Sequence, residues 1–115
     1  MRALPGRGIM DAVGPNGPVF TQGMNVGYAL YSAEYGPMEP HHHAEECCYI
    51  KASDNSWVEW GGEPDHLLYR AELKEGMLLH FPENEWHVFR FAEGGSLEII
   101  FIYGSGANAR PEDNK

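Results

Sequence analysis

The sequence is poor in basic charge. Eight Lys and Arg stand against 17 Asp and Glu, a formal net charge of -9 with a pI near 5.0. A nucleic-acid binder must neutralise phosphates with a basic surface, so this balance argues against nucleic acid as a partner. Docking on anionic membrane is disfavoured for the same reason. Cysteine is scarce as well: Cys47 and Cys48 stand side by side. Joining sequence neighbours would close a small, strained ring, so no structural disulfide is expected, and two thiols cannot make a Cys-only metal site. Free thiols fit a reducing compartment, and the cytoplasm is the expected location. No apolar run approaches the roughly 20 residues of a membrane span, and the opening MRALPGRGIMDAVGPNGP lacks the continuous apolar stretch of a secretory leader. A Gly-rich phosphate loop, a G-x-S-x-G elbow and a CxxC pair are all missing. A Cys–His nucleophile pair can be drawn, but no helix terminus or orienting group supports it.

What is present is one domain's worth of chain, 115 residues of which 43% are hydrophobic, enough for a single modest core. Residues 1–18 hold four Gly and three Pro and read as an irregular arm. Residues 19–104 read as the folded domain, and 105–115 as a small, polar, flexible tail. No stretch sustains helical apolar periodicity without an interrupting Gly or Pro. Instead, seven short candidate strands lie between turn residues: 26–34, 45–52, 56–60, 67–73, 77–81, 86–92 and 96–103, with a turn at Ser53-Asp54-Asn55. The pattern is all-β, a sandwich or barrel.

The chemistry-bearing residues are histidines and carboxylates. His41, His42 and His43 lie in MEPHHHAEECCYI beside Glu45 and Glu46, and His87 lies in FPENEWHVF. Such ligands suit Fe, Mn, Ni and Zn. Two ligands at i and i+2 on extended chain face the same way, so one segment offers two arms of a chelate and a neighbouring strand the rest. Against this stands the plain alternative of a solvated histidine turn and an ordinary part-buried His87.

These residues resemble the cupin superfamily. The first cupin motif is a Gly, a spacer, His-x-His, three or four residues, then Glu and an aromatic-aliphatic strand. It is met by Gly36, the spacer PMEP, His41-His42-His43, Ala44-Glu45-Glu46 and CCYI. The second motif is Gly, five residues, Pro-x-Gly, two residues and His. It is met by Gly76, MLLHF, Pro82-Glu83-Asn84, Glu85-Trp86 and His87, with Asn where Gly is usual. The resemblance implies a cupin-type double-stranded β-helix (jelly-roll) barrel. It also implies one divalent transition metal per chain on His41, His43, Glu46 and His87, and a small-molecule ligand or substrate.

Two departures bear on the ligand set. Only two residues separate His43 from Glu46, and Glu45 rather than Glu46 shares the parity of His41 and His43. The pattern Glu-x-x-Tyr-Ile over residues 46–50 favours Glu46, which then needs a bend or bulge after His43. His42 or Glu45 substitutes if the register slips. Two kinds of chemistry follow from the resemblance, dioxygenase or isomerase/lyase, with Glu45 and Tyr49 as candidate acid–base groups. The alternative is a non-catalytic ligand-binding or sensor cupin. A homodimer is also implied, with the arm at 1–18 supplying an exchanged strand.

Other side chains are expected to play quieter parts. Trp57 and Trp60 read as packing before substrate wall, His66 as surface, and His80 as core or adjacent to the ligands. Arg90 is expected to pair with a surface carboxylate. Tyr28 is placed beside the cavity, and Cys48 is expected to be an inert buried thiol.

Overall fold

A computed structural model of the protein describes residues 1–104. Seven strands run in chain order: β1 Arg2–Leu4, β2 Arg7–Val13, β3 Asn25–Tyr31, β4 Glu46–Glu63, β5 His66–Glu72, β6 Leu78–Phe81 and β7 His87–Tyr103, with one 3-10 turn at Ala33–Tyr35. All the strand pairings are antiparallel.

The long strands β4 and β7 are the spine. They pair from Glu46 opposite Tyr103 to Trp60 opposite His87, with register shifts after Ile50 and after Asp54. At the second shift, Asp54 faces Ser96 and Ser56 faces Phe91, so Asn55 alone opposes the four residues 92–95. Asn55 and Gly94 there take positive φ, 53° and 79°. A bulge of this kind bends a strand pair. It divides the ribbon into two halves. The first is flanked by β3, β2 and β1 on one side and β6 on the other; the second is flanked by β5.

Alternation sets the inside. Along β3 every second residue is buried, and β4 begins buried, exposed, buried, exposed, buried from Glu46 to Ile50. Inward residues from both halves, among them Ile50, Val58, Phe89, Leu97, Ile99 and Phe101, form one cluster with Tyr31, Met38 and Phe81. A single core shared by both halves is what a jelly-roll barrel requires.

Three expectations are corrected. The arm at 1–18 is not irregular: β1 and β2 form a hairpin across Pro5-Gly6, and β2 pairs with β3. The turn at 53–55 is a bulge inside β4, so the strands expected at 45–52 and 56–60 are one strand. Those at 86–92 and 96–103 are likewise one strand, β7. The tail at 105–115 lies outside the described residues.

Candidate metal centre

The fold brings His41, His43 and His87 together. One ring nitrogen of each lies within 4.8 Å of the others. His87 opens β7, and an isolated bridge pairs it with His41, with hydrogen bonds in both directions at 2.9 and 3.0 Å. The loop before β7 is fastened by the Asn84 N–H donating to the His43 carbonyl at 2.9 Å. Asn84 takes φ 65°, so Asn does at this turn what Gly does in the usual motif. His43 and His87 are buried, His41 partly so.

Glu46 completes the cluster. Its Oε1 lies 3.4 Å from His43 Nε2 and 3.7 Å from His87 Nε2, and its side chain is only 3% exposed. The expected break after His43 is real. Residues 42–45 form no ladder and bend at Ala44, and β4 starts at Glu46. Parity is thereby reset, and Glu46 turns inward with His43.

The backbone fixes which nitrogen each ring offers. His41 Nδ1 lies 3.0 Å from the Glu39 carbonyl, His43 Nδ1 2.7 Å from that of Ala44, and His87 Nδ1 2.9 Å from that of Glu85. A carbonyl can only accept, so each Nδ1 carries the proton and donates. In a neutral ring so held, Nε2 is the lone-pair atom. Backbone carbonyls holding the far nitrogen are the usual partners of metal-binding histidines. The spacing also fits an ion. Donors about 2.1 Å from a common centre stand roughly 3–4 Å apart, as Glu46 Oε1 does from His43 Nε2 and His87 Nε2, and the three histidines' nitrogens lie within 4.8 Å of one another.

The walls are aromatic. The Phe81 ring stacks on His87 at 4.0 Å, Tyr103 meets His43 edge-on at 4.8 Å, and Phe89 lies beyond. A cavity of about 240 Å³ adjoins through Phe81 and Glu85, with Val58, Trp60, Ala71 and Leu79 also lining it. A second, of about 340 Å³, opens between residues 33–38 and the first half of β7, against Met38, Trp57, Phe89 and Arg90. Each touches one ring that packs on His87, Phe81 in the smaller and Phe89 in the larger, and neither is lined by His41, His43, Glu46 or His87.

Several expected residues lie elsewhere. Glu45 is on the outer face, its Oε2 2.6 Å from His80 Nε2, so it cannot be an acid or base at the centre. His80 is exposed, not core. Tyr49 is 39% exposed and turned outward, three residues after inward Glu46. His42 rests edge-on against Trp86 and contacts Asn84 instead of joining the cluster. Tyr28 is outside too, donating to Glu98 Oε1 at 2.6 Å.

Other side chains behave as expected. Arg90 pairs with Glu59 at 3.0 Å, His66 is exposed, and Trp57 carries the Arg70 guanidinium 4.2 Å above its ring. Cys48 is fully buried behind Glu46. Burial, and after it the Glu46 charge, pushes its thiol far up, so it stays protonated. Sequence reasoning missed Tyr103 and Phe81, whose alternation in strands marks them as inward but not as neighbours of the histidines.

No family model and no curated protein matches the chain. Among solved structures it is similar to the DMSP lyase DddQ from Ruegeria pomeroyi DSS-3, with TM-score 0.69 and 17% identity over 88% of this chain and 48% of that one. It is similar to Lactobacillus farciminis oxalate decarboxylase in a formate complex, with TM-score 0.69 and 14% identity over 92% of this chain and 31% of that one. It is similar also to the hydroxypropylphosphonic acid epoxidase from S. wedmorenis in complex with fosfomycin, with TM-score 0.55 and 17% identity over 70% and 43%. The chain spans half or less of the length of each. These likenesses show the fold, the cupin double-stranded β-helix expected from the two motifs.

Proposed function

We propose that the protein holds one divalent transition metal, Fe, Mn, Ni or Zn, on His41, His43, His87 and Glu46, and acts there on a small polar oxygenated molecule. The observation that carries this reading is that the three rings share one arrangement. Three buried or part-buried imidazoles are each held at Nδ1 by a backbone carbonyl, leaving three Nε2 lone pairs beside one buried carboxylate. Such a donor set suits the metal and leaves room for substrate oxygen atoms.

A metal bound there supplies Lewis acidity toward those oxygens. The chain's own residues do the rest. Glu46 offsets part of the added positive charge. Phe81 and Phe89 keep water from the ring of His87, and the aromatic wall lowers the local dielectric, which strengthens every charge interaction within. Glu45 and Tyr49 face away, and Tyr103, whose ring packs edge-on against His43, is the candidate for proton transfer beside the ligand set. Both branches of chemistry are met among the similar folds, which include DMSP lyases, an oxalate decarboxylase and an epoxidase.

The test is elemental analysis of untagged protein, before and after exposure to Fe, Mn, Ni and Zn, beside a His41→Ala/His87→Ala variant. We expect about one metal per wild-type chain and none in the variant, with circular dichroism confirming that the variant folds. A wild type that retains no metal after reconstitution overturns the reading and leaves a metal-free binding module.

A further inference from the structure

The cavity of about 340 Å³ between residues 33–38 and the first half of β7 has the size of a small-molecule site. Its walls are apolar. Met38 and Phe89, both nearly fully buried, line it with Pro37, Trp57 and Phe91. Among the described residues no carboxylate lines it, although the chain carries 17 Asp and Glu. The charged side chain in its lining is Arg90.

Arg90 is held by its neighbours. It stands directly across from Trp57 in the β4–β7 pairing. Its Nε lies 3.0 Å from Glu59 Oε2, and the Trp57 indole N–H donates to that same oxygen at 2.7 Å. Glu59 thus engages the guanidinium from its Nε side and leaves the Nη hydrogens for a further acceptor. Arg70, 4.2 Å over the Trp57 ring, pairs with Glu72 at 2.8 Å and does not line the cavity. A planar guanidinium so oriented matches the two oxygens of a carboxylate.

We propose that this cavity binds a small aromatic monocarboxylate, its ring against Met38, Phe89 and Phe91 and its carboxylate on the Nη side of Arg90. Aromatic walls pair with a ring edge-on or offset, and a methionine sulfur adds to that contact. The charges exclude other classes. A cationic ligand meets a guanidinium and no acid. An amino acid brings an ammonium that no lining carboxylate receives, and burying it unpaired is costly. A neutral ligand that covers Arg90, whose side chain is 38% exposed, removes water from the guanidinium without replacing its charged hydrogen bonds. The site is separate from the histidine cluster, because none of His41, His43, Glu46 and His87 lines it. Phe89 links the two: it lines the cavity, and its ring centroid lies 6.4 Å from that of His87. The inference therefore does not rest on the metal reading.

The experiment is isothermal titration calorimetry of the full chain with phenylacetate, phenylacetamide and L-phenylalanine. Wild type is compared with Arg90→Gln and Ala33→Leu, each with and without chelator. Phenylacetate is expected to saturate wild type at one per chain with a Kd of about 0.1–1 mM. The amide and the amino acid are expected to bind at least about 10-fold more weakly. Arg90→Gln should weaken phenylacetate at least about 10-fold and barely change the amide. Ala33 is exposed and lines the cavity, so Ala33→Leu fills it without disturbing the core. That variant should weaken phenylacetate at an unchanged melting temperature, and chelator should change none of these affinities. No saturation by about 10 mM phenylacetate overturns the proposal. So does equal binding of the amide or the amino acid, or an affinity the same in both variants as in wild type. Binding that chelator abolishes also overturns it, because the acid then sits on the metal.

Discussion

Two adjacent glutamates have opposite fates. Glu45 lies outside against His80, and Glu46 lies inside against His43 and His87. The strand pattern Glu-x-x-Tyr-Ile made Glu46 the better candidate, and the bend at Ala44 is what delivers it. Tyr49 stands three residues from Glu46, which in a strand is the opposite face, so it cannot share the site with that carboxylate. A second carboxylate outside the site makes a prediction of its own. Glu98 accepts from Tyr28 at 2.6 Å and lies near Lys51. That hydrogen bond comes first among the causes that hold the Glu98 carboxyl below its usual range, and burial and Glu98 push the Tyr28 phenol up to about 12. The lowered acid stabilises the fold above the ordinary carboxylate range, and this is lost as pH falls through its folded value. The raised phenol stabilises it below about 10, and this is lost as pH rises through about 12. Tyr28→Phe is therefore expected to cost about 0.5–1 kcal/mol at neutral pH, with the cost shrinking toward both extremes. Urea unfolding at several pH values checks this, and a cost independent of pH contradicts it.

At the scale of elements, the strands of the barrel were legible because alternation and turn residues are local signals. What was not legible was continuity. Ser53-Asp54-Asn55 carries the residues of a turn, yet the chain uses them as a bulge inside an 18-residue strand, because the partner β7 supplies Gly94-Gly95 opposite. The Gly and Pro of residues 1–18 were read as irregular, although Gly6 at φ 86° is the turn of a hairpin. In both places the pairing partner, β7 for the bulge and β2 for the Gly6 turn, decides between two structures that share one local composition. The loop before β7 is the opposite case. The family's Pro-x-Gly spacing placed Asn84 at a turn, and Asn84 has φ 65° and holds the His43 carbonyl. An alanine there pays for left-handed backbone, so Asn84→Ala should cost about 1–2 kcal/mol. At about 4–8 °C per kcal/mol for a small domain, that is a fall in melting temperature of roughly 5–15 °C. Asn84→Gly should lose far less. Thermal scans of the two variants decide it, and equal losses would show that the side-chain contact to His42, not the backbone conformation, sets the cost.

On the scale of the whole molecule, the two halves of the β4–β7 ribbon share one core, and the histidine–carboxylate cluster joins its ends: β4 begins at Glu46 and β7 begins at His87. His41 reaches the cluster from the connection before β4. An ion held by all four side chains therefore ties the start of β7 to the start of β4 and the connection leading into it, two segments far apart in sequence. An unfolded chain offers no such convergence, so metal binding should appear as folding stability. With free metal at about 100 times its dissociation constant the gain is about 2.7 kcal/mol, a rise in melting temperature of about 10 °C for a chain of this size. We expect chelator to lower the melting temperature of metal-loaded wild type by that amount, and added metal to restore it. The His41→Ala/His87→Ala variant should melt at one temperature whether chelator or metal is present, which separates the ion's effect from that of losing two rings. Identical melting of wild type in chelator and in metal would mean that the cluster is held by packing alone, with Phe81 and Tyr103 as its support.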